Sequence, residues 1–127
     1  RQVAKETGVP AVPLFDQLME REKQATSGTG DGVALPHLRL ATVTRPFFAF
    51  ARLTQPVDFK AVDGRPVDLV GFMLSPEEDG PLHLRRLSHV SRLLRNGRLL
   101  TDLRAASDAA VIYALFLHSG QKLRSAA

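Results

Sequence analysis

The chain has 127 residues, which suits one domain, and 44% of them are hydrophobic, enough for a core of its own. It contains no cysteine, which excludes disulfide frameworks, zinc–thiolate sites and cysteine nucleophiles. The formal charge is +4, and the arginines that crowd residues 85–104 fit either an anionic partner or a solvated helix face.

The first elements along the chain are predicted to be helical. Gly8 and Pro10 are typical of the end of one helix. A second helix is expected to begin near Pro13, because apolar residues then recur at three- and four-residue spacing up to Met19. The charged run 20–23 ends that helix.

A glycine-rich segment follows, with three glycines and no apolar side chain, which predicts an exposed loop of unusual backbone geometry. Its amides and hydroxyls can face one concavity and bind anionic oxygens. The spacing matches neither the Walker nor the Rossmann pattern. The candidate anion-binding loop consists of Thr26, Ser27, Gly28, Thr29, Gly30, Asp31 and Gly32.

Strands are predicted in the middle of the chain. Residues 33–35 form a short buried strand with Pro36-His37 at its exit, and the apolar segments 47–53 and 67–74 are interpreted as central strands. Asp63-Gly64 marks a tight turn between the last two.

Helices return after the strands. They are expected over residues 82–94, with Asn96-Gly97 as the end signal, then over 99–104 and 109–117, the last after the cap residues Ser107-Asp108. The order of elements favours an α/β layer fold around a mostly buried sheet.

His37 is a candidate catalytic residue, because strand ends that face a flexible loop are where α/β folds hold ligands. Position alone favours a surface histidine that follows a turn. The anion-binding loop nearby favours a catalytic role for His37, since a neutral imidazole nitrogen is a nucleophile that can accept a phosphoryl group.

Two segments resemble the phosphorylation-site signature of the mannitol/fructose-type IIA domains of the bacterial phosphotransferase system. They are Arg21-Glu22-Lys23 and the gapless run 27–39. Residues 56–59, 61–70 and 82–84 are similar to later blocks of that family, in the same order. The Asp-Gly-Arg-Pro-Val-Asp block at 63–68 is most like the family's nitrogen-regulatory branch.

The resemblance implies one IIA domain over residues 1–127, with a mixed sheet of about five strands and helices on both faces. Relatives have a further edge strand and helix start upstream, which this chain is expected to lack. No cofactor and no metal is expected. The implied location is cytoplasmic, without nucleic-acid binding or membrane insertion.

By the same resemblance, His37 accepts a phosphoryl group from an HPr-like carrier protein, His83 hydrogen-bonds the phosphoryl oxygens, and Arg21 stabilises the charge. Asp31 is expected to orient His37 or to meet an arginine on the carrier, because a carboxylate repels a phosphoryl group. The nitrogen branch implies regulation of target proteins such as sensor kinases or potassium transport components.

Three alternatives remain at this point. A sugar-specific IIA domain would use the same histidine to pass the phosphoryl group to a IIB domain. An interaction module would never be phosphorylated. A zinc site would join His37 and His83, with Asp31 as a third ligand, although the sequence has no zinc-binding motif to support it. His89 and His118 are assigned no role.

Overall fold

The fold was described from a computed structural model, which describes residues 11–24 and 28–126, with side chains over 16–22 and 28–119. Helix α1 comes first, the five strands follow, and three helices complete the chain. The elements are α1 (Ala11–Gln24), β1 (Gly28–Gly30), β2 (Val33–Ala34), β3 (His37–Leu40), β4 (Phe47–Val57), β5 (Val67–Pro76), a 3₁₀ turn (Glu77–Asp79), α2 (Pro81–Leu93), α3 (Gly97–Ala105) and α4 (Ala109–Ala126).

Strand β5 is the centre of the sheet. It pairs in parallel with β2 and β3 along one edge and antiparallel with β4 along the other, and β1 extends the sheet antiparallel to β2. Leu69 and Leu74 have no exposed surface, as expected of a strand with neighbours on both edges. The mixed five-stranded sheet with helices confirms the predicted α/β class.

Strands β2 and β3 follow β5 in one continuous register, since the pairings Val33 with Leu69 and His37 with Met73 have the same offset. Pro36 interrupts the ladder because it has no N–H, but its carbonyl oxygen still accepts from the Met73 amide at 3.0 Å. The prediction that His37 stands at the exit of a strand is therefore corrected. It begins β3, on a paired edge.

Strand β4 was predicted to be central, and this is wrong for the described sheet. Within that sheet it pairs with β5 alone, and its residues are exposed or half-buried. Its register shifts between Arg52 and Val57, around Pro56, which cannot donate to a ladder. Aromatic and branched residues favour a strand but do not distinguish an edge from a centre.

The chain forms two compact units, Arg1–Leu84 and Arg85–Ala127. In the first, Leu40, Val43 and Leu74 form a buried cluster. The partly buried residues packed against it are Leu18, Leu38, Phe47 and Phe72.

In the second unit, α3 and α4 pack against each other. Asn96 was predicted to end α2, but its side chain instead accepts hydrogen bonds from the first amides of α3 and caps that helix. The Asp108 carboxylate accepts from the Val111 amide at 3.0 Å, which confirms the predicted cap of α4. Helix α4 continues well past Leu117, because one glycine, Gly120, does not stop a helix.

None of the helices in the described ranges is long and apolar enough to cross a membrane.

Candidate functional site

The pairing of β3 with β5 places His37 and Ser75 on one face of the sheet. His37 lies beside Met73, and Arg39 lies beside Ser75. Because side chains alternate along a strand, positions 73 and 75 share a face, and so do their partners. His37 and Ser75 are therefore diagonal neighbours on that face.

Helix α2 brings the second histidine to this place. His83 lies in the first turn of α2, where its amide donates to the Gly80 carbonyl oxygen at 3.1 Å. Gly80 has a φ of 41°, a conformation that favours glycine. The His83 ring is 5% exposed, and its centroid lies 5.6 Å from that of His37, with the ring planes inclined by 40°. His37 and His83 are called the histidine pair below.

A backbone carbonyl group determines which nitrogen of the His37 ring carries the hydrogen. Its Nδ1 lies 2.8 Å from the Leu35 carbonyl oxygen. A carbonyl oxygen can only accept, so Nδ1 carries the hydrogen and donates it. In the neutral ring, Nε2 then has the free lone pair. His37 is half-buried, so this nucleophilic nitrogen belongs to a side chain with surface in contact with solvent.

The His83 ring is bonded to a side chain that the sequence did not single out. Its Nδ1 lies 2.7 Å from Ser75 Oγ, and Ser75 has no exposed surface. The predicted strand ended at Leu74, so Ser75 was left outside it. A polar residue directly after an apolar strand was the signal that could have drawn attention to this position.

Arg21 lies in the last turn of α1 and is half-buried. Its position beside the histidine pair, and with it the charge-stabilising role, stays a prediction.

The exposed loop predicted for the glycine-rich segment has the expected unusual backbone geometry, but part of it is a strand. Thr26 and Ser27 lie outside the described residues. From Gly28 onwards the chain forms a hairpin of β1 and β2, here called the glycine hairpin (residues 28–34). Its turn has positive φ at three successive residues, 102° at Gly30, 57° at Asp31 and 77° at Gly32. Glycine tolerates such angles, so the chain can reverse tightly.

The tip of the glycine hairpin is bonded to the turn at residues 63–65. The Asp31 amide donates to Asp63 Oδ2 at 2.8 Å, and the Arg65 amide donates to Asp63 Oδ1 at 3.1 Å. These amides, the Asp31 amide above all, lower the pKa of the Asp63 carboxyl. The Asp31 amide is thus directed at a carboxylate of the same chain, and the anion-binding role of the loop as a whole stays a prediction.

The Asp31 carboxylate forms an ion pair with the Arg65 guanidinium at 3.4 Å, and both side chains are mostly exposed. The expected role of Asp31, to orient His37 or to meet an arginine on the carrier, stays a prediction. Among the residues with described side chains, no three His, Asp or Glu groups converge as metal ligands.

Known proteins similar to this chain identify its family. The family described as "Phosphoenolpyruvate-dependent sugar phosphotransferase system, EIIA 2" matches residues 2–119. The nitrogen regulatory protein of Bradyrhizobium diazoefficiens is 43% identical over 114 residues, which are 90% of this chain and 74% of that protein. The fructose-specific EIIA component of Haloferax volcanii is 43% identical over 80 residues, 63% of this chain and 52% of that protein.

Among solved structures, the nitrogen regulatory protein IIA-Ntr from Neisseria meningitidis superposes with a TM-score of 0.82 at 35% identity, over 87% of this chain and 76% of that one. The family match covers almost the whole chain, and the superposition on the IIA-Ntr structure agrees with it. The chain therefore belongs to the EIIA type 2 family of the phosphoenolpyruvate-dependent phosphotransferase system, and its function is of the IIA type.

Proposed function

We propose that this protein is a phosphocarrier of the nitrogen-regulatory branch, in which Nε2 of His37 accepts a phosphoryl group from an HPr-like carrier protein. The single observation that supports this most is the hydrogen bond from His37 Nδ1 to the Leu35 carbonyl oxygen, with a second imidazole 5.6 Å away. That bond leaves the nucleophilic lone pair on Nε2.

The transfer exchanges one phosphorus–nitrogen bond for another. The bond from phosphorus to the carrier's imidazole breaks as the bond to His37 Nε2 forms, and the carrier's ring keeps the electron pair. The His37 ring gains positive charge, which strengthens the hydrogen bond from Nδ1 to Leu35. The transition state spreads negative charge over the equatorial oxygens, so donors around them determine the rate.

His83 and Arg21 supply those donors in this proposal. The His83 ring has Nδ1 bonded to Ser75, so we assign the contact with a phosphoryl oxygen to Nε2. The Arg21 guanidinium adds a permanent positive charge. The phosphorylation state of His37 then alters the binding of target proteins in the cytoplasm, such as sensor kinases or potassium transport components.

Intact-mass spectrometry after incubation with phosphoenolpyruvate, an enzyme I-type protein and an HPr-like carrier tests the proposal. We expect one acid-labile phosphoryl group per chain, lost in His37→Ala and kept in the control His118→Ala, whose histidine is exposed on α4. An adduct that survives in His37→Ala would overturn the assignment of the acceptor. A wild-type chain that takes up no phosphoryl group would favour the unphosphorylated interaction module.

A second candidate is a sugar-specific IIA domain, which the similarity to the fructose-specific protein of Haloferax volcanii favours. Phosphoryl transfer from the labelled chain to a purified fructose-type IIB domain would support it. Retention of the label in that mixture supports the regulatory function.

A further inference from the structure

Ser75 and His83 are the two buried polar side chains in the part of the chain whose side chains are described, and they are bonded to each other at 2.7 Å. We propose that Ser75 is a positioning residue for phosphoryl transfer. Its hydroxyl donates to His83 Nδ1 and thereby holds the ring hydrogen on Nε2, where it can be donated to a phosphoryl oxygen. This inference rests on the proposed function of His37.

The bond joins two elements that fix its ends independently. Ser75 lies in the central strand β5, where its backbone is in register with Arg39 of β3. His83 is fixed by the first turn of α2. The neighbours of Ser75 in β5, Met73 and Leu74, are at most 2% exposed, so this end of the strand is buried together with the hydroxyl. A buried hydroxyl is costly unless it is hydrogen-bonded, and the imidazole nitrogen satisfies it.

The direction of the bond decides what His83 can do. A hydroxyl can donate or accept, whereas a neutral imidazole has one donor and one acceptor nitrogen. If Nδ1 donated to Ser75, Nε2 would present a lone pair, which repels an anionic oxygen. If Ser75 donates, Nε2 carries the hydrogen and becomes a donor. Only the second direction is compatible with a neutral His83 that stabilises a phosphoryl group.

The two rings of the histidine pair are then set to opposite tautomers by partners of different chemistry. The Leu35 carbonyl oxygen can only accept, which makes His37 Nε2 a nucleophile. The Ser75 hydroxyl can donate, which makes His83 Nε2 a donor. The two rings are chemically identical, so the hydrogen-bond partner of each ring determines whether its Nε2 acts as a nucleophile or as a donor.

The tautomer can be read directly by NMR of the ring nitrogens in protein labelled with ¹⁵N-histidine, without phosphorylation. In the wild-type chain we expect His83 with hydrogen on Nε2 and none on Nδ1. In Ser75→Ala we expect a mixture of tautomers and a rate of His37 phosphorylation lower by about tenfold, as for the loss of one hydrogen bond in the transition state.

Two further variants separate positioning from general stability. Ser75→Thr keeps the hydroxyl and is expected to keep both the tautomer and most of the rate. Ser88→Ala, an exposed serine on α2, is the matched control and is expected to change neither.

Hydrogen on Nδ1 of His83 in the wild-type chain would overturn the inference, as would a Ser75→Ala chain with an unchanged rate. The wild-type spectrum decides the direction of the bond even if Ser75→Ala does not fold. A wild-type chain that accepts no phosphoryl group would refute the proposed function, and the NMR result would still report separately on the Ser75–His83 bond.

Discussion

The histidine pair and the glycine hairpin are both held by hydrogen bonds, but these bonds differ in exposure. The bond from Ser75 to His83 is buried, whereas the bonds among Asp31, Asp63 and Arg65 are exposed. A buried bond has no competing water, so it fixes where a proton lies. An exposed bond exchanges with water and contributes little on its own. We therefore expect the rate of phosphoryl transfer to depend on the histidine pair, and local stability to depend on the glycine hairpin.

The largest effect is expected for His83→Ala. Removing a donor from a preorganised anion site typically slows the reaction by about 10²-fold or more, so phosphorylation of His37 should slow to that extent. Initial rates with a phosphorylated HPr-like carrier measure this, with His118→Ala as the control. A rate within about twofold of wild type would remove His83 from the mechanism.

Gly30→Ala tests the backbone of the glycine hairpin. The φ of 102° at Gly30 strains an alanine, so we expect a loss of about 1–2 kcal/mol in the free energy of unfolding. Chemical denaturation measures this. Gly97→Ala is the matched control, because nothing lies within 4 Å of its added Cβ, and it should be neutral or slightly stabilising. Equal losses in both variants would contradict the role given to the hairpin turn.

Asp63→Asn tests the charge at the same turn through pH. The pKa of Asp63 is lowered in the folded chain from its ordinary value of 3.8, chiefly by the Asp31 amide. The ionised carboxylate therefore stabilises the fold above that value, and the contribution disappears as the pH falls through the lowered pKa. We expect Asp63→Asn to be less stable than wild type near neutral pH, and the gap to close on acidification.

Urea denaturation at a series of pH values measures that gap. Asp16→Asn, on an exposed part of α1, controls for the loss of one negative charge. A gap that widens as the pH falls would contradict the assignment.

The smallest effect is expected for Arg65→Gln. The ion pair with Asp31 joins side chains that are 57% and 72% exposed, so its removal should change the free energy of unfolding by no more than about 0.5 kcal/mol, and less at high salt. Arg98→Gln, which removes an exposed pair within α3, should behave alike. A loss above about 1 kcal/mol would show that the exposed region contributes more than its solvent contact suggests.

Local signals in the sequence predicted the elements well. These signals are local, because each involves residues only a few positions apart. They are the apolar run 67–74, the periodicity of residues 82–94 and the Asp108 cap. The structure places β5, α2 and the start of α4 there. His37 and His83 were linked by family resemblance, since no local pattern relates two residues so far apart.

Pairing and hydrogen-bond partners were not predictable in this way. The edge position of β4 depends on which strands reach β5, and the bond from Asp31 to Asp63 spans 32 positions. Ser75 meets His83 only because the turn through Gly80 returns the chain to the sheet at one particular angle. The sequence contains these residues but not the distances between them.

The unbroken register of β2 and β3 through Pro36 restricts how another macromolecule can reach His37. The backbone on both sides of the proline pairs with β5, which holds His37 in the sheet rather than in a loop. Under the proposed function, the carrier protein therefore has to fit the surface around a histidine that is held in a paired strand. Recognition then relies on the shape and mobility of the carrier protein. The entropic cost of ordering a flexible segment is borne by the carrier.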